Sequence, residues 1–323
     1  MHEPTFRQAL SRSWQLVVQK KSLWIFGILS ALAGQMGLSD FVGMMYKTTG
    51  NGLKPFSFTL FFDYLKSFNW HQVSVILLTL WLLGIILLLI ISVVFIAISS
   101  RGAIIAYSIQ WYKKGKILSL SDAWNKGVKN FLPMLGVTVL GRSLQMLVIW
   151  LFAISAIKLV QANNLTGNLV LVFIAGVAIF LALVIESISI YSSGYLILEN
   201  KSLKISIKKG FELFLEHMMV SLELGIILMI FSAAVLGIIA WGSFFAFFPS
   251  LIMWIIAGLT SFKFLIGLGI YTGISLYVTF VLIVAGIFNA FVTCSWIYLF
   301  MKMHHEGLAS RTLHFFQNLF RKS

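Results

Sequence analysis

Five apolar positions at steps of four, four, three and one recur along the chain, each time in a basic stretch ahead of a long hydrophobic segment. The copies are Phe6, Leu10, Trp14, Val17 and Val18; Leu120, Trp124, Val128, Phe131 and Leu132; and Leu203, Ile207, Phe211, Phe214 and Leu215. This spacing gathers all five side chains on one helical face, so each stretch predicts an amphipathic helix. A cation and a small residue precede the third member every time: Arg12-Ser13, Lys126-Gly127 and Lys209-Gly210. The small residue is read as allowing close approach of the next helix. A weaker fourth copy keeps Leu308, Phe316, Leu319 and Phe320, with Thr312 and His314 replacing the second apolar residue and the cation.

Offsets of 114 and 83 residues leave room for two membrane crossings per unit. The predicted fold is all-α: a polytopic membrane protein with six transmembrane helices, near 22–37, 73–99, 133–157, 168–195, 217–246 and 272–301. They form three pseudo-repeated hairpins with amphipathic interfacial helices on the cytoplasmic side. One membrane domain covers 1–323, with units at about 4–113, 117–197 and 200–303 and a partial fourth interfacial helix at 307–323. Pro4, Pro55, Pro133 and Pro249 are read as lying at or beyond element ends, as the cost of a helix-interior proline requires. The third external connection, Pro249 to Ile266, then holds an apolar stretch, Leu251 to Ala257, too short to span and read as re-entrant or interfacial.

Composition agrees with a membrane setting. Hydrophobic residues make up 59% of the 323 and charged residues 11%, against about a quarter charged in a soluble domain. The net charge of +14 is unevenly placed: 18 of the 24 Lys and Arg fall on the side of the N-terminus. By the positive-inside rule both termini are cytoplasmic, and the expected location is the cytoplasmic (inner) membrane of a prokaryote. The implied partner is a bilayer with anionic headgroups, met by Arg12, Trp14, Trp124, Lys126, Lys209 and Phe211. A membrane-protein partner or a second copy of the chain is the other partner class. Nucleic acid is excluded, because the aromatics share the lipid-seeking face instead of alternating with exposed cations. Ala31-Leu32-Ala33 has the form of a signal-peptidase site, but the repeat copy ahead of it argues for a retained helix and crossing.

Charges inside the hydrocarbon are expensive and mark candidate sites. Arg142, Glu186 and Glu223 qualify, with Arg101 and Asn289 beside them. The repeat offset puts Glu223 at the depth of Arg142 and Glu186 at the depth of Arg101. Two pairings are expected: Arg101 with Glu186, and Arg142 with Glu223 or Glu186. Such pairs either fix helix packing or line a polar path. Gly269 with Gly273, and Gly286 with Ala290, have the spacing that lets membrane helices touch, within the chain or in a dimer. The lone Cys294 rules out an internal disulfide. His304-His305-Glu306 offers metal-ligand residue types, but neighbours in sequence point to different helix faces, so a solvated cationic end is expected. No metalloprotease, Walker-type or nucleophile-elbow motif is present in the sequence, and neither catalytic residues nor cofactors are assigned.

The stretch FRQALSRSWQLVVQKKSLWIFGILSALAG from Phe6, with SLSDAWNKGVKNFL and SLKISIKKGFELFL, resembles the bacterial membrane-domain family named after glycerophosphoryl diester phosphodiesterases. In two-part members of that family the activity belongs to a separate soluble barrel with a His-Arg-Gly motif, which this sequence lacks. The resemblance therefore implies a membrane domain without that activity. The function expected is a non-catalytic membrane module organising or regulating an envelope- or lipid-related partner. The alternative is a transporter for a lipid-like or small solute that uses Arg142, Glu186 and Glu223.

Overall fold

The computed structural model describes residues 5–31, 73–115, 118–161, 165–260, 262 and 264–306. Among these residues the fold is all-α, with nine helices. They are α1 Thr5–Gln19, α2 Ser22–Ala31, α3 Val73–Lys114, α4 Leu120–Lys129, α5 Phe131–Gln161, α6 Leu165–Glu199, α7 Leu203–Glu216, α8 Met218–Thr260 and α9 Phe264–Glu306. Helices α3, α5, α6, α8 and α9 are long and apolar enough to cross a membrane, which makes the chain a multi-pass helical membrane protein. The first expected crossing, 22–37, is described only as the ten-residue α2. Residues 32–37, the first external loop and the fourth basic stretch lie outside the described residues.

All three basic stretches are helices, α1, α4 and α7, and only one or two residues separate each from the helix that follows. Glycine or asparagine in the left-handed region helps set the preceding corners. Gly115 after α3 has φ +61° and Asn200 after α6 has φ +51°, both at positions where such residues commonly end a helix. From those corners α4 folds back on α3 and α7 folds back on α6. Helix α4 is further fixed by Ser119, whose hydroxyl accepts from the Asp122 backbone N–H.

The contacts follow a cyclic rule. Helices α3, α6 and α9 each touch the other two and form the centre. Helix α2 lies against α9 and α3, α5 against α3 and α6, and α8 against α6 and α9. The short amphipathic helices close the ring, with α1 on α9, α4 on α3 and α7 on α6. The core sits at the end of the bundle that carries these short helices. Ile104, Tyr107, Tyr191, Leu196, Ile297 and Phe300 are buried there. Towards the other end Leu88 of α3, Phe173 of α6 and Phe245 of α8 expose apolar surface, as lipid-facing helices must, while α8 and α9 stay packed on each other.

Two expectations are corrected. Pro249 lies inside α8, and Leu251–Ala257 continues that helix instead of forming a separate short element. The backbone hydrogen bond lost at Pro249 is offset by packing on α9, where Ser250 faces Gly273 and Trp254 Nε1 donates to the Ile266 carbonyl at 3.3 Å. Pro133 falls in the first turn of α5, where proline costs least. Two of the three repeated small residues, Gly127 and Gly210, meet the preceding long helix and not the next one. A Cβ on Gly127 would lie 2.1 Å from the Ser99 carbonyl oxygen of α3. One on Gly210 would lie 2.5 Å from Ser192 Oγ and 3.1 Å from the Ile188 carbonyl of α6. Ser13 is buried and shares a 2.9 Å hydrogen bond with the Tyr112 hydroxyl of α3.

Candidate functional site

Of the polar residues predicted within the hydrocarbon, Arg101, Arg142 and Glu186 are brought together by α3, α5 and α6. Arg101 of α3 forms an ion pair with Glu186 of α6, Nη2 to Oε1 at 3.3 Å. Gln145 of α5 donates to the other carboxylate oxygen at 3.1 Å. Arg142, one turn before Gln145, donates to the Gln145 carbonyl oxygen at 3.4 Å. Arg142 therefore reaches Glu186 through an amide relay. The carboxylate is held from two sides and both guanidinium groups lie within one network.

Asn289 of α9 stands apart from the ions. Its amide donates to Ser30 Oγ at 2.7 Å and to the Gly27 carbonyl at 3.4 Å, tying α9 to α2. The backbones approach closely there: a Cβ on Gly27 would be 2.1 Å from the Gly286 oxygen. Gly286 and Ala290 are thus engaged by α2 of the same chain, and Gly269 and Gly273 by α8. Glu223 is half-buried on α8.

Between these groups lies a small polar cavity of about 30 Å³, lined by Ser30, Arg101, Thr138, Arg142, Glu186, Asn289 and Thr293, with Ala97, Ile98, Ile190, Val292 and Trp296 completing the wall. That is room for about two waters. A second hollow, of about 230 Å³, reaches Glu186 from the side of α8 and is lined largely by Ile179, Leu183, Leu228, Met229, Val292 and Trp296, with Gln145 and Ser232 as polar members. Glu186, Val292 and Trp296 border both.

The residues expected to meet lipid divide into two groups. Arg12 and Phe211 are exposed, and Trp14 is exposed while packing edge-on against Phe291 at 5.8 Å between ring centroids. Trp124 instead stacks on Phe26 at 6.2 Å, while Lys126 is exposed and donates to Gln110 at 3.4 Å. Lys209 donates to Glu199 Oε2 at 2.8 Å and stands 5.3 Å from the centre of the Tyr195 ring. The Glu199 hydrogen bond holds the Lys209 ammonium above its ordinary range.

Several residues that matter here escape a sequence reading. Glu199 at the end of α6 gathers Lys201 at 2.7 Å, Lys209 at 2.8 Å and His304 at 3.9 Å. His304 also meets the Tyr195 hydroxyl through Nδ1 at 3.4 Å, so the His304 end of α9 docks onto α6. Gln145 carried a usable signal, since it follows Arg142 by one turn. The pairs Ala9 and Ser13, Ala123 and Gly127, and Ser206 and Gly210 carried another. All six are buried, and their four-residue spacing is that of close helix contact. Ser30 opposite Asn289 had no local signal, being 259 residues away.

Comparison with known proteins finds no match to the chain among family models, curated proteins or solved structures. The site must be read on its geometry alone.

Proposed function

We propose that this chain is a non-catalytic module of the cytoplasmic membrane that organises or regulates an envelope- or lipid-related partner. The observation that carries this reading is the engagement of Glu186 by Arg101 and Gln145 around a cavity with room for about two waters. A carboxylate held on two sides serves to lock α3, α5 and α6 together. The exposed cations Arg7, Arg12, Lys129, Lys204 and Lys208 on the short helices support a reading in which that face meets anionic headgroups on the cytoplasmic side. Helices α8 and α9 are 43 residues each, about 65 Å at 1.5 Å per residue. A bilayer with its headgroups is about 40–45 Å thick. The apolar hairpin tip, with Ile255, Leu259 and Phe264 exposed, is the surface offered to a membrane-protein partner.

A second reading, a permease for a lipid-like or small solute using Arg142, Glu186 and Glu223, is favoured by the larger hollow that reaches Glu186. One pair of measurements separates the two. The chain and its Glu186→Gln variant are reconstituted in liposomes and assayed for proton flux with a pH-sensitive dye and for scrambling of a fluorescent phospholipid. Thermal unfolding is followed in detergent. The module reading expects no flux above empty liposomes and a lower melting temperature for the variant. Flux that disappears in Glu186→Gln at unchanged melting temperature overturns it.

A further inference from the structure

We propose that Arg142 and the hollow between α6, α8 and α9 form a site for one anionic phospholipid, its phosphate at the guanidinium end and an acyl chain in the hollow. The proposal rests on the reading of the long helices as membrane spans and is independent of whether the chain organises a partner or moves a solute.

Three observations converge. The first is charge. The polar cavity is lined by two guanidinium groups and one carboxylate, and Glu186 is taken by Arg101. Arg142 reaches that carboxylate through Gln145, a 3.4 Å bond that uses one of its five N–H donors. A guanidinium with free donors matches phosphate oxygens in charge and in geometry. Glu223, the other carboxylate of this region, stands about 200° around α8 from Gly225, a residue that lines the hollow.

The second is shape. The hollow adjoins the small cavity that holds Arg142, the two sharing Glu186, Val292 and Trp296, and away from Gln145 and Glu186 its wall is apolar along Leu183, Leu228 and Met229, with the Ser232 hydroxyl bonded to its own helix. One end for an ion and a longer apolar body is the complement of an amphiphile. Gly225 lines it without a side chain, and a Cβ there would already meet Leu183 at 3.3 Å and the Trp296 ring at 3.5 Å, so a larger residue would have to intrude on the hollow.

The third is depth. Glu186 is 21 residues from the start of α6 at Leu165, about 31 Å at 1.5 Å per residue. Arg142 is 19 residues from the end of α5 at Gln161, about 28 Å. Measured from the shared end of this hairpin, both groups lie about one hydrocarbon thickness away, where lipid phosphates begin.

The test uses the full chain, delipidated in a neutral detergent and titrated with phosphatidylglycerol or with phosphatidylcholine of the same acyl chains, bound lipid being counted by native mass spectrometry. Wild type should retain one phosphatidylglycerol with about tenfold preference, and Arg142→Gln should lose most of that preference while Arg142→Lys keeps it. Gly225→Leu should lower retention of both lipids by filling the hollow. Arg12→Gln, on the exposed face of α1, should leave the preference unchanged, as should inorganic phosphate added as competitor. Circular dichroism confirms that each variant is folded, and the Arg142→Lys and Gly225→Leu arms decide the matter if Arg142→Gln is not. Equal retention of the two lipids, a preference lost as readily in Arg12→Gln, displacement by inorganic phosphate, or Gly225→Leu retaining lipid as wild type does would each overturn the proposal. A negative result here leaves the flux and melting experiment on Glu186 untouched.

Discussion

Gly127 of α4 sits against the Ser99 carbonyl of α3, so close that an added Cβ would lie 2.1 Å from the oxygen. The obstacle is backbone, which cannot swing aside as a side-chain end can. Overpacking of this kind costs about 1–3 kcal/mol. Gly127→Ala should therefore lower the melting temperature in detergent, and Gly210→Ala, which meets Ser192 and Ile188, should do the same. Gly237 has nothing within 4 Å of its would-be Cβ, and Gly237→Ala should leave the melting temperature unchanged or raise it, since alanine is the better helix former.

The Arg101–Glu186 pair is a second test of packing. Removing one partner of a buried pair costs about 3–5 kcal/mol because the other charge is left behind, and the residual exposure of both side chains, 20% and 16%, moves the expectation to the lower end. Arg101→Gln and Glu186→Gln should each destabilise by that order. The double variant should recover a large part of the loss, because no charge is then stranded. Additive losses in the cycle would show that the two do not act as a pair.

At the α2–α9 seam, packing should outweigh polarity. Interhelical hydrogen bonds in membranes average about 0.6 kcal/mol, so Asn289→Ala should have a small effect. Gly286→Val places side-chain atoms where Ile28 backbone atoms already lie within 2.9 Å and should be the more damaging change by thermal melting.

The Lys209–Glu199 contact carries a pH signature. The hydrogen bond to Glu199 raises the Lys209 pKa in the fold, so its stabilisation is complete below the ordinary lysine value, about 10.4. It is lost as pH rises through the raised value, where the folded protein gives up the proton. The melting-temperature gap between wild type and Lys209→Met should stay constant from neutral pH to about 10 and close above it. A gap that closes on acidification would contradict this sign.

The elements that could be read from sequence are those whose cause is local. Apolar spacing located α1, α4 and α7, and hydrophobic length located α5 and α6 closely and the start, but not the end, of α3. Helices α8 and α9 run further than expected because the break read at Pro249 is outweighed by contacts with α9, which no local window contains. The same division holds at the site. Arg101 and Glu186 were placed at one depth by the repeat offset and do pair. The amide relay from Arg142 through Gln145 and the lattice of cations on Glu199 depend on how α5, α7 and α9 rotate about their axes, which side-chain packing decides. The apolar stripe of the short helices was read as facing acyl chains. It is shared, because the small residues beside it dock on the bundle and leave Trp14, Phe211 and Leu215 outward.

The central claim is that α1, α4 and α7 lie together on one membrane face, docked on α9, α3 and α6. Single cysteines at Arg12→Cys, Lys126→Cys and Lys208→Cys, with Leu165→Cys at the far end of α6, can be probed in sealed vesicles of either orientation with a membrane-impermeant maleimide, the native Cys294 being buried. The account predicts that the first three label in inside-out vesicles and that Leu165→Cys labels in right-side-out vesicles. Labelling of any of the first three from the opposite side to the other two would contradict it.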